Sequence, residues 1–159
     1  PGTLSRGGGS SNIYLHSDTI SGVNDITIIF NTIAAATFGV EVGQYSSVGI
    51  GANIFTELSD SIVLASSNVT DDIRYNLFYN NNSDTNPGAF PIYANPKLVD
   101  ISNGDFHLLP GSGAIDQIFA VDFDEDIDGE TRPIGLGSTP YDVGADEFQV
   151  ILYLPLILR

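Results

Sequence analysis

Three stretches decide the fold: Asp25-Ile-Thr-Ile-Ile-Phe-Asn31-Thr-Ile33, Val48-Gly-Ile-Gly-Ala-Asn53-Ile-Phe55 and Asp72-Ile-Arg-Tyr-Asn76-Leu-Phe78. Aligned on Asn31, Asn53 and Asn76, they lie 22 and 23 residues apart. Ile28, Ile50 and Ile73 stand three residues before each Asn, Phe30, Ala52 and Tyr75 one before, and Ile33, Phe55 and Phe78 two after. Ile29, Gly51 and Arg74 lie between the first two columns, so that position takes any character. Alternation inside each segment means strands. A period of about 22 residues between segments means stacked coils, each burying its apolar column on the next. Further strands fit at Asn12–His16, Gly39–Gly43 and Ser61–Ala65. The rhythm over residues 12–94 is that of a parallel β-helix with two or three strands per coil. The competing reading is a β-sandwich with turns every 8 to 12 residues or so. The recurring Asn predicts a turn ladder, since Asn tolerates the left-handed conformation and stacked amides can hydrogen-bond along the stack.

Outward from these coils, residues 1–11 read as a flexible Gly/Ser lead-in. Residues 79–88, Tyr-Asn-Asn-Asn-Ser-Asp-Thr-Asn-Pro-Gly, carry every turn signal and mark where the coils end or are interrupted. The 159 residues are 42% hydrophobic, with 17 Gly, which suits one all-β domain, or part of a longer chain, with a sizeable core. The formal charge is −15, and Arg6, Arg74, Lys97, Arg132 and Arg159 are the only Lys or Arg residues. Phosphate contacts need such residues, so nucleic acid and anionic membranes are poor partners, whereas cations are natural ones. No Cys is present, which removes disulfides and thiolate metal sites. No Met is present either, so the chain is expected to begin inside a longer product.

Residues 95–147 carry a second signature: Asn95-Pro96, Leu98, Asp100, Gly104-Asp-Phe-His-Leu108, Pro110-Gly-Ser112, Ala114-Ile-Asp116, Asp126-Ile-Asp-Gly129, Arg132-Pro133 and Asp142-Val-Gly-Ala-Asp-Glu147. As a set these resemble the C-terminal module of bacterial secreted right-handed parallel β-helix surface proteins of the choice-of-anchor type. Asn95 stands where that family usually has Asp, and Gly113 where it usually has Pro. The resemblance implies a secreted, cell-surface bacterial parent with more coils upstream, ended by an irregular cap. In that reading Phe106, His107, Asp116, Arg132, Asp142, Asp146 and Glu147 are structural residues of the cap. An open last coil invites aggregation, and Phe106, Leu108, Ile115, Ile118, Phe119 and Val143 are expected to cover it.

Among groups that carry chemistry, Asp122, Asp124, Asp126 and Asp128 alternate and precede Gly129, a spacing of hard oxygens suited to calcium. An EF-hand loop begun at Asp124 would need Glu at its twelfth position, where Gly135 stands. A solvated turn with Arg132 as counter-ion is the alternative. Asp71, Asp72 and Arg74 at a strand start contain the paired carboxylates of glycoside chemistry, or simply a turn with a local counter-ion. His16 and His107 are the only histidines, and His107 reads as packing within the cap. Two glycosylation sequons, Asn68-Val-Thr70 and Asn81-Asn-Ser83, are expected by chance in an Asn-rich chain.

The apolar tail over residues 148–159 is too short to span a bilayer as a helix, and Pro155 would break one. It reads either as a sorting or docking element or as an edge strand folded back on the coils. No complete catalytic set is present, so the expected function is a non-enzymatic module that caps the helix and supports surface attachment or glycan and cell adhesion. The alternatives are the end of a polysaccharide lyase or glycoside hydrolase with its site upstream, and a self-assembling extracellular fibre subunit joined through the tail or an open coil.

Overall fold

The computed structural model describes residues 10–15, 26–43, 47–64, 70–119, 124–133 and 140–149. In chain order the short strands are β1 (Ser11–Leu15), β2 (Ile26–Ile29), β3 (Thr32–Ala34), β4 (Phe38–Val42), β5 (Ser47–Gly51), β6 (Ile54–Thr56), β7 (Asp60–Leu64), β8 (Thr70–Arg74), β9 (Leu77–Tyr79) and β10 (Ile92–Tyr93). From β1 to β9 every third strand joins the same sheet, β1-β4-β7, β2-β5-β8 and β3-β6-β9, and β10 adds next to β9, with all pairs parallel. The fold is therefore all-β with parallel sheets, and the antiparallel sandwich is ruled out.

The register is the one the apolar columns specify. Ile28 lies opposite Ile50 and Ile50 opposite Ile73, while Ile33, Phe55 and Phe78 stack in the third sheet. The inward residues of all three sheets meet in one core that includes Ile28, Val40, Ile50, Phe55, Ile62 and Phe78. The Phe55 and Phe78 rings stack at 5.5 Å. Stretches of two to five residues, too short to be stable alone, are stable here because each buries its inward face on the others.

The turn ladder forms, with one change of assignment. The left-handed residues are Phe30, Ala52 and Tyr75, each one position before the Asn. The Asn side chain instead spans the bend: the Asn53 amide donates to the carbonyls of Gly51 (2.9 Å) and Ile28 (2.8 Å). It also joins the coils, since Asn53 Oδ1 accepts from the Asn31 backbone N–H and amide, and Asn76 Oδ1 accepts likewise from Asn53. An L-residue in the left-handed region costs about 1–2 kcal/mol, and this bonding offsets it. Proline at position 91 ends the ladder: Phe90 repeats the positive φ, but the next residue has no side-chain oxygen to accept from Asn76 as Asn76 accepts from Asn53.

The polar stretch after β9 bonds along the edges of β7 and β8. Asn82 N–H donates to Leu58 O, Ser61 N–H to Ser83 O and Ala89 N–H to Ile73 O. Asn81 Oδ1 takes the Leu58 N–H, and the Asn86 amide reaches Ile62 O. These residues form a shortened coil that answers the unpaired backbone of the coil before it. Gly88 lies so close that a Cβ there would sit 2.0 Å from Ile73 O. At the other end, β1, β2 and β3 are the outermost strands of their sheets, with no described strand beyond them. The lead-in also ends earlier than expected: Ser10 O accepts from Thr37 and Phe38 N–H, so Ser10 and Ser11 belong to the stack, and residues 1–9 lie outside the described residues.

The described residues of 95–149 lie along the side of the stack. They cover the outward column of the third sheet and its bend, in a second core of Phe30, Ala52, Ile54, Leu77, Leu108, Ala114, Ile118 and Val143. Gly144 N–H donates to Ala52 O (2.9 Å) and Ala145 N–H to Thr32 Oγ1 (3.2 Å), so the module reaches back to the first coil. The physical reason is that Phe30, Ile54 and Leu77 point away from the main core and need their own cover. Of the six residues expected over the open end, Leu108, Ile118 and Val143 are buried in this side core and Ile115 packs against it. Phe119 is 68% exposed, and Phe106 belongs to neither core.

Candidate functional site

The side module opens with an antiparallel pair, β11 (Leu98–Asp100) and β12 (Asp105–Leu108), around a 3-10 turn at Ile101–Asn103. Asp100 caps the turn, accepting from Ser102 Oγ and the Asn103 amide at 2.6 Å each, and these bonds hold its carboxyl below the usual range. On β12, two-residue spacing puts Asp105 and His107 on one face. His107 Nδ1 lies 2.6 Å from Asp105 Oδ1, and Nε2 lies 2.7 Å from Asp128 Oδ2. Held between two carboxylates, first Asp105 and then Asp128, the imidazole is pushed up to about 9 and donates from both nitrogens at neutral pH.

Asp128 reaches the histidine because Asp126 shapes the acidic loop. Asp126 Oδ1 accepts the N–H groups of Asp128 (2.9 Å) and Glu130 (2.8 Å), and Oδ2 that of Glu147 (3.3 Å). Gly129 takes the positive φ that closes the turn. Asp146 is buried behind the pair, and its Oδ2 accepts the Leu108 N–H at 2.7 Å. Burial raises its carboxyl, with the charges of Asp126 and Asp128 adding to the effect.

Beneath this cluster lies Arg132, whose side chain is fully buried. Nη2 donates to Gly144 O (2.9 Å), Nη1 donates to Asp142 O (3.4 Å) and sits 3.8 Å from Glu147 Oε2, and the guanidinium stacks 4.8 Å above the Phe30 ring. Burial lowers its pKa, while Glu147 first and then Asp126, Asp142 and Asp146 support the charge. Asp142 is a junction: its oxygens accept from Asp116 and Phe148 N–H at 2.7 Å each, and its own N–H donates to Glu147 Oε2 at 3.0 Å. Burial pushes Asp142 up to about 6.

The seven residues expected to be structural thus fall on this module, most of them in one connected set, with Phe106 outside it. Of the acidic residues expected to bind calcium, Asp122 lies outside the described residues, Asp124 is exposed, Asp126 is bonded to backbone and Asp128 to histidine. Among the described residues, His107, Asp128 and Asp146 bring three metal-competent groups within 4.8 Å of one another. Sequence spacing can show the Asp105–His107 pair on one strand face, but nothing local ties it to Asp128 or Asp146. His16 and Asn68 lie outside the described residues, and nothing is described of the Asp71 side chain. Asp72 and Arg74 form an exposed ion pair at 2.8 Å. The Asn81 sequon amide is engaged with Phe55 O and Asp84.

A cleft of about 350 Å³ runs beside that ion pair, lined among others by Gly51, Arg74, Tyr75, Ile118 and Phe119. Gly51 lowers the outer face of the second sheet between Ile29 and Arg74, and Tyr75 stacks on the exposed Phe90 at 5.0 Å. Compared with protein-family models, curated proteins and solved structures, the chain matches none. Among the described residues no helix is long and apolar enough to cross a membrane.

Proposed function

We propose that this chain is the C-terminal end of a right-handed parallel β-helix of the choice-of-anchor type. In this reading it is a bacterial extracellular, surface-attached module whose work is structural and adhesive. The carrying observation is the inequality of the two ends of the stack. One end is answered by the shortened polar coil at residues 80–90, while β1, β2 and β3 stand outermost at the other. In this reading upstream coils would register on these strands, with Asn31 the first Asn of the ladder. Glycan contact falls at the cleft, where aromatic faces, a glycine floor and the Asp72–Arg74 pair suit a sugar ring and its hydroxyls. The alternative, the end of a lyase or hydrolase, places chemistry in coils upstream.

A polysaccharide panel, with and without Ca²⁺, tests this by reading both binding and newly released ends. Binding without release, weakened by Arg74→Ala or Tyr75→Ala, is the expected result. Release of reducing or unsaturated ends by this chain would overturn the adhesive reading.

A further inference from the structure

We propose that His107, Asp128 and Asp146 form a binding site for a divalent first-row transition ion of the Zn²⁺ and Mn²⁺ class. The three side chains come from β12, the acidic loop and the closing Asp-Val-Gly-Ala-Asp stretch, and their ligand atoms lie within 4.8 Å of one another. One imidazole nitrogen and two carboxylates, with solvent on the Asp128 side, are a three-ligand set that leaves open positions for water. The imidazole distinguishes this site from an all-oxygen calcium loop, because nitrogen donors favour transition ions over Ca²⁺.

The surroundings are those such a site needs. Asp105 Oδ1 holds Nδ1 at 2.6 Å, which directs Nε2 at the ion position in the manner of a carboxylate–histidine–metal triad. The Leu108 N–H fixes one oxygen of the buried Asp146 at 2.7 Å. The Asp126 carboxylate holds the backbone N–H of Asp128, and so the loop that carries the third ligand. Bonds of about 2.0–2.1 Å need ligand atoms about 3.3 Å apart. The 2.7 Å contact between Nε2 and Asp128 Oδ2 therefore opens by under an ångström. Asp128, half exposed on a loop, can make that movement. The ion replaces the proton between these two atoms, and that proton leaves to solvent.

The test uses the full chain with Mn²⁺, read by calorimetry and by pulsed electron paramagnetic resonance, with Zn²⁺ and Ca²⁺ as competitors. The expected result is one Mn²⁺ per chain with ¹⁴N coupling from an imidazole, displaced by Zn²⁺ in preference to Ca²⁺. Both His107→Gln and Asp128→Asn are expected to weaken binding by more than the roughly 10–100-fold cost of outer-shell changes. If His107→Gln fails to fold by circular dichroism, the exposed Asp128→Asn decides. Mn²⁺ bound without ¹⁴N coupling, or displaced equally by Ca²⁺, would assign the ion to acidic surface oxygens and overturn the site. Absence of binding at millimolar Mn²⁺ and Zn²⁺ would overturn it as well.

Discussion

Asn53 and Arg132 are each the buried polar centre of their region, and they work differently. Asn53 repeats its neighbours: the bonds it makes to Asn31 and to the bend carbonyls recur at Asn76 one coil later. Arg132 has no counterpart among the described residues. It is held by two carbonyls, Glu147 and the Phe30 ring, and the carboxylates around it depend on its charge. The stack spreads its stability over equivalent units. The side module concentrates its stability on one cation, so the same size of lesson in sequence carries unequal weight in the two regions.

Arg132→Met breaks the comparison most sharply. Leaving Asp142 and Glu147 buried without their cation is expected to cost about 3–5 kcal/mol. Hydrogen exchange should show protection lost over residues 95–149 and retained in β4 to β6. Equal loss in both regions would show that the stack depends on its side cover.

Asn53→Ala is expected to cost about 3 kcal/mol, because it leaves several buried backbone groups unanswered. Asn31→Ala, half-buried and bonded on one side of the ladder, should cost about 1 kcal/mol. Urea unfolding of the pair gives the ratio, and equal losses would contradict a ladder with a distinct end.

Gly144→Ala sharpens the junction between the regions. Its φ is +100°, and a Cβ would sit 2.4 Å from Ile54 Cδ1 and 3.0 Å from Thr32 Oγ1. A loss of about 2 kcal/mol is expected, with the module's melting transition moving more than that of the stack.

The smallest effect is electrostatic. His107 has a folded-state pKa of about 9, above its ordinary 6.5. Its contribution is therefore complete below pH 6.5 and is lost as pH rises through about 9. The groups are 41–50% exposed, so solvent limits the change to about 1 kcal/mol or less. Melting curves of metal-free protein between pH 6 and 10 should slope downward, and His107→Gln should flatten the slope.

The same contrast explains what was legible in the sequence. The register of Ile28, Ile50 and Ile73 could be read because one rule repeats at a fixed interval. The left-handed residue was misplaced by one because its marker, the Asn, acts on the residue before it. The closing role of residues 80–90 was hidden because their partners, such as Leu58 and Ile73, lie a coil earlier. The lateral position of the module rests on contacts such as Ala145 with Thr32, 113 residues apart, for which no local pattern exists. The spacing of Asp105 from His107 on one strand is visible in the sequence. The grouping with Asp128 and Asp146 depends on how three separate segments meet.

The shortened coil at residues 80–90 also governs how copies of this chain can join end to end. In polymer terms the two ends of the stack differ: Asn81, Asn86 and Ala89 lay irregular backbone over the first two sheets at one end, where the two-residue β10 is the outermost described strand of the third. Two copies meeting at β1, β2 and β3 would pair head to head about a two-fold axis and present their β10 ends on both sides. A fibre joined end to end through the stack would need a second joint at the other end, where only the short β10 stands outermost among the described strands.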